Sequence, residues 1–137
     1  MTSILLIEDD KLLREVLATA LTQHGYAVAQ AEDGEQGVKL FRAGPTDLVI
    51  TDIVMPNKDG VATIADLRRD YPKLGIIAIS GNVPHGRGLY LKIAGGLGAT
   101  RTLAKPFAHA TLLTAINEVL AETGRVEPLP VDRNTST

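Results

Sequence analysis

The chain contains no cysteine, so neither a disulfide framework nor a thiolate metal site is available to it. No apolar run approaches the ~20 residues that a membrane-crossing helix needs. The opening residues MTSILLIEDD carry no basic segment and turn acidic after a few apolar positions, so they do not read as a signal peptide. Strong charge of either sign is also missing. A formal net charge of −2 argues against nucleic acid as a direct partner. The default expectation is a cytoplasmic protein that acts on neither nucleic acid nor membrane. What is present is ordinary for a globular protein: 137 residues, 45 % apolar and 22 % charged. A single domain of that length buries roughly two thirds of its unfolded surface and needs no metal or disulfide to hold it together.

Five short apolar runs read as strands: SILLIE (3–8), YAVAQA (26–31), DLVIT (47–51), LGIIAIS (74–80) and the weaker TRTLA (100–104). The first, third and fourth are nearly continuous, as expected for strands covered on both faces. Helical stripes fall between and after them. Leu13, Val16, Leu17, Ala20 and Leu21 share one face of the first helix, and Val61, Ile64, Ala65 and Arg68 make a weaker stripe in the third. Leu112, Leu113, Ile116, Val119 and Leu120 form the last. Gly25, Gly44-Pro45 and Pro72 supply stops. The resulting βαβαβαβαβα order implies an α/β fold with a parallel sheet between helices. The domain is expected at 1–123, with GRVEPLPVDRNTST (124–137) as a flexible C-terminal tail.

Within LVITDIVMP (48–56), Asp52 stands in the middle of apolar residues. A buried carboxylate persists only if it is paired, bound to metal or functional. In open α/β sheets ligands bind beyond the carboxyl ends of the strands. Those ends carry Glu8, Asp9 and Asp10 after the first strand, Asp52 after the third, Ser80-Gly81 after the fourth and Lys105-Pro106 after the fifth. If the first and third strands are neighbours, Glu8, Asp9 and Asp52 meet. Three close carboxylates repel, and a hard divalent cation such as Mg²⁺ relieves them. Mg²⁺ held by few carboxylates usually also binds a phosphoryl group, which a lysine and a hydroxyl would suit. A remaining carboxylate can then act as the nucleophile. Each residue has a plainer use alone: Asp9 or Asp10 as a helix N-cap, Ser80 in a turn, Lys105 as a solvated strand end. Their joint placement on one edge of one sheet favours a shared site.

ILLIEDD, DLVITDIVMPNKDG, IIAISG and LAKPF, in that order and spacing, resemble the signature segments of the response-regulator receiver domain of two-component signalling, over roughly residues 3–122. The resemblance implies a five-stranded parallel doubly wound sheet of flavodoxin-like order 2-1-3-4-5 with five helices. It implies that Asp52 is the phosphoacceptor, charged by a histidine kinase or histidine phosphotransferase. Asp9 would be the direct ligand of Mg²⁺ (or Mn²⁺), Glu8 its acidic partner, and the backbone carbonyl of Val54 a further ligand. Lys105, in a cis Lys105-Pro106 unit, would pair with the phosphoryl oxygens, and Ser80 would hydrogen-bond them. Gly60 would allow the turn into the third helix, and Gly81 would keep the pocket mouth open. The chain would then be a signalling module with an unidentified downstream protein partner, not an enzyme beyond its own phosphorylation and slow dephosphorylation.

Three departures from the family pattern stand out. Thr102 occupies the place, three before Lys105, where an aromatic switch residue is common. The stretch from Ser80 to Lys105 is long and holds five glycines between Gly86 and Gly98, so its helix and preceding loop are expected to form the moving surface. No output domain follows in the sequence. Val54 and Asn82 flank the expected path of an attacking water, and Val54 cannot orient one, which predicts slow self-dephosphorylation. Two other readings compete: a receiver-like binding module that never uses the chemistry, and an aspartate-nucleophile phosphatase. The intact set Glu8, Asp9, Asp52, Ser80 and Lys105 argues against the first. The missing acid two residues after Asp52 argues against the second.

Overall fold

The computed structural model describes residues 1–53, 60–80, 95, 96 and 98–123. The strands are β1 (Ser3–Ile7), β2 (Ala27–Ala31), β3 (Leu48–Asp52), β4 (Gly75–Ser80) and β5 (Arg101–Ala104). Four helices lie among the described residues: α1 (Lys11–Gln23), α2 (Gly34–Ala43), α3 (Gly60–Asp70) and α4 (His109–Thr123). All strand pairs are parallel, in the order β2-β1-β3-β4-β5, so the topology is the expected one. The helix expected between β4 and β5, the tail 124–137, Val54 and Gly81 lie outside the described residues.

Alternation along the strands builds two cores. Leu5, Ile7, Val49, Ile76 and Ala78 face α2 and α3 together with Phe41, Ile64 and Leu67. Ile4, Leu6, Leu48, Ile50, Ile77 and Ile79 face α1 and α4 with Leu17, Leu21, Ile116 and Val119. β1, β3 and β4 are covered on both sides, and their side chains alternate between the cores; that is why their sequences read as unbroken apolar runs. The edge strand β2 is mostly exposed, in keeping with its alanines and Gln30.

Two stripes differ from expectation. In α1, Val16 is 43 % exposed and Leu12 72 %, while Ala18 is buried. The helix is rotated so that Leu17, Ala18 and Leu21 point inward. In α3 the buried set is Gly60, Thr63, Ile64 and Leu67, not a stripe ending on Arg68. The Arg68 guanidinium instead binds the carbonyls of Tyr71, Pro72 and Gly98, closing the end of α3 onto the chain entering β5.

Candidate functional site

Adjacent parallel strands put the ends of β1 and β3 side by side. Glu8 extends the ladder by one bond, its N–H donating to the Ala31 carbonyl at 3.0 Å. The chain then turns into α1. Asp10 is the N-cap, its carboxylate accepting from the Leu13 N–H at 3.1 Å, so of the two candidate caps the structure uses Asp10. Glu8 is turned inward and buried, while Asp9 is exposed at the mouth. Asp52 ends β3 and is 6 % exposed. One carboxylate oxygen from each of Glu8, Asp9 and Asp52 falls within a sphere where all lie within 4.8 Å of one another.

β5 sits beyond β4, so Lys105 must reach across the end of β4 to join this group. Its backbone N–H donates to the Ser80 carbonyl at 2.8 Å, and the Lys105–Pro106 peptide is cis, as expected. The ammonium lies 2.9 Å from Glu8 Oε1 and 3.0 Å from Asp52 Oδ2. Burial alone would depress the lysine; the hydrogen bond to Glu8 and the charge of Asp52 outweigh it and hold its pKa above the ordinary value. Glu8 is less well served. Burial first, and then the Asp52 charge, push its carboxyl up from 4.5 to about 7, against the opposing hydrogen bonds from Lys105 and the Asp10 N–H. One lysine does not neutralise three carboxylates.

Ser80 closes β4 fully buried, and its hydroxyl has no hydrogen-bond partner among the described residues. An unsatisfied buried hydroxyl costs about 1–3 kcal/mol, so this donor is open to a partner other than the described residues. Gly60 also bears on the site. Its φ is not left-handed; what it provides is room. A β-carbon there would strike the carbonyl oxygen of Asp52 and lie 2.5 Å from the Ile53 Cα. Gly60 thus opens α3 where a side chain would collide with the end of β3, and what the turn needs from it is close approach. Arg14, which the sequence does not single out, donates to the Glu8 carbonyl at 2.7 Å. The available hint is a cation in the first turn of a helix, where the dipole disfavours it unless a nearby group favours it.

The sequence matches the family model of the response regulator receiver domain over residues 4–117. It is similar to the uncharacterized transcriptional regulatory protein YcbL of Bacillus subtilis (34 % identity, covering 85 % of this chain and 50 % of that protein). It is likewise similar to the transcriptional regulatory protein CseB of Streptomyces avermitilis (34 % identity, 90 % of this chain and 51 % of that one). The chain thus spans about half the length of these relatives. Among solved structures, a response regulator receiver domain protein from Clostridium thermocellum superimposes with a TM-score of 0.82 at 27 % identity, covering 89 % of this chain and 96 % of that one. The response regulator TrrA of Thermotoga maritima, solved in complex with Mg²⁺-BeF, gives 0.78 at 30 % identity, covering 88 % and 100 %. The chain belongs to the response-regulator receiver family of two-component signalling. Receiver domains are signalling domains that bind Mg²⁺ at an acidic pocket. No helix among the described residues is long and apolar enough to cross a membrane.

Proposed function

We propose that this chain, as a domain spanning 1–123, accepts a phosphoryl group on Asp52 from a phosphohistidine of a histidine kinase or histidine phosphotransferase. The observation that carries the reading is the Lys105 ammonium shared between buried Glu8 and Asp52, beside a strand end whose Ser80 hydroxyl is unpartnered among the described residues. An Asp52 oxygen forms the new bond to phosphorus as the phosphorus–nitrogen bond of the donor breaks; the leaving imidazole takes its proton from solvent. Lys105 pairs with the incoming phosphoryl oxygens, and Ser80 donates to them the hydrogen bond it makes to none of the described residues. The donor set fits Mg²⁺ or Mn²⁺: oxygen ligands only, three carboxylates at close range, and a Glu8 whose pKa is raised by burial first and by the Asp52 charge second. Such an ion, held by Asp9, Glu8 and Asp52, supplies charge neutralisation for the transferring group. The immediate target of the phosphorylated domain is a protein surface. Two of the relatives are named transcriptional regulatory proteins, which supports a regulatory target.

Intact mass after incubation with acetyl phosphate and Mg²⁺ tests this. Wild-type protein should gain one phosphoryl group; Asp52→Asn protein, and wild type in EDTA, should gain none. A wild-type protein left unmodified by acetyl phosphate and by a panel of phosphorylated histidine kinases alike would remove the proposal. Because Val54 offers an approaching water no hydrogen bond, the phosphorylated form should persist for minutes or longer. Decay of the mass-shifted species within seconds would contradict that.

A further inference from the structure

Three carbonyl and amide groups at the β1–α1 turn decide where Asp9 points. Glu8 is fixed at its N–H by the Ala31 carbonyl and at its side chain by Lys105 and the Asp10 N–H, at 2.9 and 3.1 Å. Asp10 is fixed by its capping bond to Leu13. What remains is the peptide between Glu8 and Asp9, whose carbonyl lies on the strand side of the turn that carries Asp9. The tie on that peptide is the Arg14 guanidinium, whose Nη1 donates to the Glu8 carbonyl at 2.7 Å.

Asp9 itself has no hydrogen bond or ion pair among the described residues, so nothing else described aims it. Helix capping does not need Arg14, because Asp10 already performs it. A cation in the first turn is disfavoured by the helix dipole, and its charge beside the pocket opposes a second cation. Both effects argue that its use is geometric.

We propose that Arg14 is a positioning residue for the divalent ion: by tying the Glu8 carbonyl to α1 it holds the turn backbone that carries Asp9 beside Glu8 and Asp52, and so raises the Mg²⁺ affinity of the pocket. The inference rests on the receiver reading above. It places Arg14 outside the ligands, where groups that orient ligands typically govern affinity about 10–100-fold.

Mg²⁺ titrated calorimetrically into the metal-free full chain tests it, with thermal unfolding in EDTA alongside. Arg14→Met should bind Mg²⁺ about tenfold more weakly. Arg14→Lys, long enough to reach the same carbonyl, should recover most of that loss. Both should unfold in EDTA within a few degrees of wild type. Should Arg14→Met not fold, Arg14→Gln, too short to reach, carries the same expectation. Wild-type affinity in the Met or Gln variant overturns the inference. So does tighter binding, which would show that the guanidinium acts only as a repelling charge. A wild type that takes up no Mg²⁺, or takes it up equally well as Asp9→Asn, overturns the receiver reading itself and this inference with it.

Discussion

Gly60→Ala should cost the fold about 3 kcal/mol, the upper end for overpacking, and lower its melting temperature by roughly 10 °C. The reason is the hardness of what the new methyl group meets. It would strike the Asp52 carbonyl oxygen, and would lie 2.5 Å from the Ile53 Cα and 2.9 Å from the Asp52 carbonyl carbon. These are backbone atoms at the end of a strand hydrogen-bonded to β1 on one side and β4 on the other. A flexible side chain could step aside; β3 cannot. Nor can α3 retreat cheaply, because Ile64 and Leu67 are fully buried beneath it. The displacement that does occur falls on Asp52, whose Oδ2 must stay near Lys105. A misplacement on the order of 1 Å can cost a reaction 100-fold, so phosphorylation by acetyl phosphate should fall by at least about tenfold. Circular dichroism melting and the mass assay measure the two effects. A melting temperature within a degree or two of wild type would refute the packing argument.

Metal-free protein should become less stable as pH rises from about 5 to 7. Glu8 titrates near 4.5 in an unfolded chain and at about 7 in the fold. Between those values the folded state keeps a proton that the unfolded state has lost. The folded state binds more protons, so the free energy of unfolding falls with pH across that window and levels off above it. The full span corresponds to on the order of 3 kcal/mol. Urea unfolding in EDTA at several pH values reads it directly. Glu8→Gln should flatten the profile, and Mg²⁺ should restore stability most strongly above pH 7, where Glu8 has lost its proton. A profile that is level or rises through this range in EDTA would contradict the assignment of Glu8 as the strained acid. Asp70, whose pKa is lowered by hydrogen bonds from Arg69 and Arg42, works in the opposite sense at much lower pH, and it is exposed.

How much of this is legible in the sequence follows from what each signal depends on. β1, β3 and β4 are visible, to within a residue or so, because strands covered on both faces are apolar at nearly every position; the exposed β2 and the half-buried β5 give weaker runs. The acidic group is visible because a carboxylate within or directly after such a strand is too costly to bury unless a partner, a metal or a reaction uses it. The rotation of α1 is not visible: Leu12 and Val16 are apolar yet outward, and only the docking of Leu17 and Leu21 against β1 fixes the helix's roll. Arg68 displaces Leu67 from the expected stripe because one turn of a weak pattern does not define a phase. Gly60 can be picked out at the turn into α3, but not the physical reason for it. A glycine needed for space and one needed for a left-handed turn look identical in a sequence. Arg14 is invisible because its partner is a backbone carbonyl, which has no letter of its own.

The Lys105 ammonium meets carboxylates from residues 97 and 53 positions earlier in the chain. Only with β1, β3, β4 and β5 all in place do those three groups meet, since β5 is the last strand to be made and the farthest from β1 in the sheet. An incompletely translated chain, or one whose final strand has come away, therefore holds its acids without their counter-charge. On the proposed reading, the receiving carboxylate of such a molecule would be present in the sequence but deaf to the donor. Competence to receive a signal would in this way be tied to having finished folding, so damaged copies would fall silent instead of reporting falsely.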